Sequence, residues 1–147
     1  VLASLPIIAN GFFSINIDNQ FTSKKEDIEG TMSLVTIYGE TCWNVDLTIP
    51  GLDTPLTFEL KDEQGNCFEP YMDAEFININ AGSCWGGNCP EDSNHPGEVG
   101  HKNLNLYLGL TDFTGFLSLS GSNNKTENGG GFTNYNFLGT VKLKMLQ

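Results

Sequence analysis

Two histidines and a carboxylate stand close together in His95-Pro-Gly-Glu98-Val-Gly-His101, with Glu91 and Asp92 just upstream. Imidazole nitrogen and carboxylate oxygen make a ligand set suited to zinc or copper. A histidine in such a cluster also suits a general base. The helical metalloprotease pattern needs two histidines four apart, which is not met, and Pro96, Gly97 and Gly100 work against a helix. Cys84, Cys89, His95 and His101 follow the spacing C-x4-C-x5-H-x5-H. They can be read as a four-ligand zinc site, or as one disulfide followed by a solvated loop. Calcium is a second ion to weigh, because Asp62-Glu63-Gln64-Gly65-Asn66 and Glu91-Asp92-Ser93-Asn94 gather hard oxygen atoms without the EF-hand spacing. No organic cofactor is expected. No G-x-S-x-G or other nucleophile motif is present, so no catalytic residue is assigned and the chain reads as a non-enzyme. Trp85 lies between Cys84 and two glycines. It either packs over a disulfide or is presented to a ligand such as a sugar ring or an acyl chain.

The elements that must hold these residues are strands. Apolar residues recur with a period of two, which buries one face of each strand. Phe13, Ile15 and Ile17 alternate with polar neighbours, as do Trp43, Val45, Leu47 and Ile49. The same pattern runs through Leu56, Phe58 and Leu60, through Leu104, Leu106, Leu108 and Leu110, and through Val141, Leu143 and Met145. Weaker strands fall at residues 32–38, 74–79 and 115–120. Clusters of Gly, Pro, Asn and Asp separate them. About eight or nine antiparallel strands, each with one solvated face, predict an all-β sandwich of the immunoglobulin-like or jelly-roll-like kind. Two long loops are expected, at residues 80–102 and 121–131. One domain at residues 11–147 follows an apolar arm at residues 1–10, which either covers its own core or docks on a neighbour.

The four cysteines, Cys42, Cys67, Cys84 and Cys89, form an even set in a small acidic chain. Two disulfides and a secreted, extracellular location follow. Of three connectivities, Cys42–Cys67 with Cys84–Cys89 is favoured, because Gly86 and Gly87 let the short loop bend back. Residues 1–9 are apolar but short and lack a basic flank, so they read as the start of a mature chain whose signal is already removed. No run reaches the length of a transmembrane helix. The sequon Asn124-Lys125-Thr126 is a glycosylation acceptor in a eukaryotic source, or else a plain turn.

Charge narrows the partners. The 147 residues carry 18 acids against seven bases, a formal −11, and every base is a lysine. Nucleic-acid contacts need clustered Lys and Arg, so that partner is excluded. An arginine clamp on phosphate or carboxylate is excluded by the absence of arginine.

From about Gly30 onward the chain resembles the ML lipid-recognition family of secreted β-sandwiches. The likeness lies in Cys84-Trp-Gly-Gly-Asn-Cys89-Pro90 followed by a polar linker and the leucine-rich strand at residues 104–110. Thr114-Gly115 opening a strand and a last strand at residues 138–146 continue the same order. The family's tie between its N-terminal region and last strand has no counterpart, since Gly139 and Thr140 stand where the late cysteine would fall. The resemblance implies two sheets splayed around an apolar cavity that takes a lipid or sterol.

The function expected is therefore secreted, non-enzymatic binding of a lipid or other apolar molecule between two sheets. A second expectation is a subunit of an extracellular filament, coat or adhesive surface, with copies joined by strand addition. A third is a carbohydrate-binding module built on Trp85 with nearby Asn and Asp.

Overall fold

The computed structural model describes residues 3–37, 39–52, 55–61, 66–67, 75–89, 93–125 and 131–144. Eight strands form: β1 (Ala3–Ile17), β2 (Gln20–Ile37), β3 (Glu40–Thr48), β4 (Leu56–Glu59), β5 (Phe76–Trp85), β6 (Glu98–Gly109), β7 (Thr114–Lys125) and β8 (Phe132–Leu143). Among the described residues no helix is long and apolar enough to cross a membrane.

All eight strands join one antiparallel sheet in the order β4-β3-β2-β1-β8-β7-β6-β5. Two facing sheets were expected. Alternating burial is the same for a sandwich and a barrel, and the pairing decides between them. Here β1 pairs with β8, from Ile7 opposite Leu143 to Ile17 opposite Thr133. Every strand thus lies beside its neighbours in sequence, and the sheet curls until β4 and β5 touch. That is the strand order of an up-and-down barrel with one seam. Across the seam, Lys102 Nζ donates to the Thr57 carbonyl oxygen at 2.6 Å and lies 5.3 Å from the centre of the Phe58 ring.

Inward positions form one core. Phe13, Phe58 and Phe137 fill it with Leu104, Leu106, Leu108 and Leu117, all nearly inaccessible to solvent. Glycine interrupts the inward rows where the wall must bend. Gly11 and Gly139 face each other across β1 and β8. A Cβ on Gly11 would strike the Leu138 carbonyl, and one on Gly139 the Asn10 carbonyl. Removing both side chains lets the first and last strands close together, a device that curved sheets require.

Several expected boundaries move. Residues 3–10 are the first half of β1, and Ile7 and Ala9 lie in the core. The expected arm is thus continuous with the sheet from Ala3. β2 extends over eighteen residues, through a polar stretch that the alternation left unassigned. Its Ile28 is fully buried, and Gly30 sits where a Cβ would strike the Asp46 carbonyl. The loop expected at residues 80–102 shrinks, because Gly82 to Trp85 pair with β6 and His101 and Lys102 lie on β6. The loop expected at residues 121–131 shrinks too, since β7 runs to Lys125 and pairs with β8 through Asn124 opposite Phe132.

The disulfides join Cys42 to Cys67 and Cys84 to Cys89, as favoured from the spacing. The first ties β3 to the connection between β4 and β5, and the second closes the turn after β5.

Candidate functional site

The β1–β2 turn and the described ends of the β3–β4, β5–β6 and β7–β8 connections lie at the same end of the barrel, and residues from them line its mouth. Asp18 and Asn19 join β1 to β2 with φ of 51° and 67°, the left-handed pair that a two-residue hairpin turn needs. The turn is fastened to β8 twice. Asp18 N–H donates to the Phe132 carbonyl at 2.9 Å, and Phe132 N–H donates to Asp18 Oδ1 at 3.0 Å. Gly131 leaves room for that carboxylate, since a Cβ there would collide with it.

The β5–β6 connection is shaped by its disulfide. Gly86 and Gly87 take φ of 69° and 58°, and Cys89 N–H donates to the Gly86 carbonyl at 2.9 Å. Trp85 ends β5 and points inward. It is only 4% exposed. Its ring stacks on His95, with centroids 3.9 Å apart and planes 15° apart. A Cβ on Gly100 would lie 2.7 Å from the indole. The ring faces are therefore covered, and no open platform remains on which a sugar ring can stack.

A cavity of about 620 Å³ opens at this end, within the usual size of small-molecule sites. Ile17, Leu52, Pro55 and Leu56 give it an apolar side. Trp85, Asn123, Tyr135 and Asp18 bring polar atoms to the other. Two of those atoms are buried without a hydrogen-bond partner: Trp85 Nε1 and Asn123 Oδ1. The Asn123 amide donates its Nδ2 to Glu98 Oε2 at 3.3 Å, which leaves the carbonyl oxygen as the unused acceptor. Two residues that line the mouth thus carry one unused donor and one unused acceptor. Leaving such groups buried and unpaired costs about 1–3 kcal/mol each, and a ligand with matching atoms recovers it.

Tyr135 is inward on β8, and its phenol occupies the space a Cβ on Gly121 would need. Burial pushes the phenol from 10.0 up to about 12. Below pH 10 it is neutral in folded and unfolded chains alike. Between about 10 and 12 only the unfolded chain ionises, so stability falls as pH rises through that window. Urea unfolding of Tyr135→Phe beside the parent chain checks this. The loss between pH 10 and 12 is expected to be smaller in the variant, and equal losses in the two chains would contradict it.

The proposed metal ligands are not brought together. His95 lies against Trp85, Glu98 accepts from Asn123, and His101 points outward with Nδ1 at 3.0 Å from Ser122 Oγ. No group of three metal-ligating side chains gathers among the described residues. The zinc reading of Cys84 and Cys89 falls to their disulfide. Asp62, Glu63, Gly65, Glu91 and Asp92, on which the calcium reading rests, lie outside the described residues, as does Thr126 of the sequon. Asn124 itself is exposed at the end of β7.

Asn123, Tyr135 and Asp18 were not singled out by the sequence. The alternation of Tyr135 and Phe137 with Asn134 and Asn136 carries the signal for Tyr135, once the last strand is extended back to Phe132. Compared with family models and with curated proteins, the sequence matches none of either.

Proposed function

We propose that this chain is a secreted, non-enzymatic binding protein that takes one short amphiphile in the mouth of its barrel. The observation that carries the reading is the pairing of Trp85 Nε1 and Asn123 Oδ1, both buried and unused, with the apolar wall of a 620 Å³ cavity. An acyl chain lies along Ile17, Leu52, Pro55 and Leu56, while a hydroxyl head accepts from the indole N–H and donates to the Asn123 side-chain carbonyl oxygen. A neutral head is favoured, because its two partners are a neutral donor and a neutral acceptor and the lining carries one charge of each sign, Asp18 and Lys102. The apolar ligand implied by the ML-like loop is kept as a class and moves from between two sheets to the mouth. The leucines of β6 fill the interior beneath it, so a short chain fits better than a long one. The two disulfides agree with an oxidising compartment.

Titration calorimetry with 1-decanol and with monodecanoylglycerol tests the reading. Saturable binding and a raised melting temperature are expected. Trp85→Phe keeps a ring against His95 and removes only the donor, so affinity falls about 5–10-fold, the worth of one hydrogen bond. Absence of heat and of any melting shift with both probes would count against the proposal.

A further inference from the structure

The barrel wall is divided by charge. On β2, β3 and β4 the outward positions include Lys25, Asp27, Glu29, Asp46 and Glu59. On β5, β6, β7, β8 and β1 no carboxylate stands at an outward position among the described strand residues. Asn, Ser and Thr dominate there, interrupted by large apolar side chains. Phe76 stacks on Tyr107 with centroids 5.3 Å apart, and Tyr107 leans on Phe116 at 6.4 Å. Phe12 and Leu138 face each other across β1 and β8 and are 53% and 67% exposed. They form a ridge. Beside it, from the row of Asn10 and Thr140 onward, lies a groove of about 620 Å³ bounded by Ile8, Tyr107 and Phe116.

We propose that this wall is an interface with a second copy of the chain, the ridge of each copy seated in the groove of the other. Three observations select that occupant. A ridge and a groove side by side on one face are self-complementary about a two-fold axis, as an isologous contact requires. Two copies at −11 repel over the rest of their surface, whereas this wall carries few carboxylates, Asp112 in the groove and Asp27 bonded to Asn10 at its edge. The extent suits a weak pair. The barrel curves away from a facing copy, so about three strands at ~4.8 Å spacing and about twelve residues at ~3.3 Å can meet it, roughly 570 Å² of wall, below the ~800 Å² per partner of a standard interface. Asp112 and Lys142 also line the groove and bring one charge of each sign to such a contact.

Sedimentation velocity across a concentration series, on the full chain, tests the interface. A dimer is expected, and Leu138→Lys and Phe116→Lys each weaken it by about 30-fold or more, as at a buried anchor. Both residues are exposed in the single chain, so melting temperature and circular dichroism of the dilute variants stay near the parent's. Phe21→Lys is the control: Phe21 is 67% exposed but lies on β2, outside the wall, and this change leaves the dimer intact. A parent chain that stays monomeric up to about 1 mM, where even weak pairs associate, overturns the proposal. So does a dimer indifferent to both wall variants, or one that Phe21→Lys dissolves equally well.

Discussion

Phe137→Ala lowers the unfolding free energy by about 3–5 kcal/mol, the range for deleting a buried phenyl ring and leaving its cavity. Phe137 is 2% exposed. It faces Phe13 on β1 and Leu119 on β7, so one ring packs against both neighbours of β8. The β1–β8 pairing is what turns a meander into a barrel, and this ring sits on it. The informative comparison is one residue away. Leu138 is apolar too, but it points outward and is 67% exposed. Leu138→Ala in the dilute single chain is therefore expected to change stability by no more than about 0.5 kcal/mol. Urea unfolding of the two variants reads the register of β8 directly. Similar losses for both would mean that the strand does not alternate between core and solvent as described.

Removing the Cys42–Cys67 disulfide costs about 2–4 kcal/mol. The bond spans a sequence separation of 25 and encloses β4, which has only four residues and is paired on one side, to β3. Reduction frees that whole segment in the unfolded chain, and the entropy gained there is the loss of stability. Cys84–Cys89 has a separation of five, closes a smaller loop and contributes less. Urea melts of the double variant Cys42→Ala with Cys67→Ser, beside the double variant Cys84→Ser with Cys89→Ser, separate the two contributions. The first pair is expected to be the larger, and the reverse order would contradict the loop argument.

The strands with clean alternation were legible in the sequence: the inward leucines of β6, Val45 and Leu47 of β3, and Phe58 and Leu60 around β4 all lie in the core. The disulfide pairing was legible from loop length and two glycines. What was not legible depends on contacts distant in the chain. Only the second half of β2 was read as a strand, at residues 32–38, because Lys24, Lys25, Glu26 and Asp27 in its first half carry no apolar period. The ladder it forms with β1 comes from the register of its partner and not from its own pattern. One sheet or two turns on whether the first strand meets the last, which a local period of two cannot encode. The site shows the same division. Trp85 stood out by type and by its place beside a cysteine, although it turned out stacked and covered. Asn123 and Tyr135 stand on strands whose inward ends reach the mouth only once β1, β8, β7 and β6 are side by side.

The mouth site rests on an indole N–H that has no partner in the free protein. A proton–nitrogen correlation spectrum shows two indole resonances, because the chain has two tryptophans, and Trp43→Phe assigns them. On titration with 1-decanol the Trp85 resonance is expected to move downfield as its N–H gains an acceptor, while the Trp43 resonance stays in place. If the Trp85 resonance holds its position throughout the titration, or the Trp43 resonance moves in its stead, the mouth is not the ligand site.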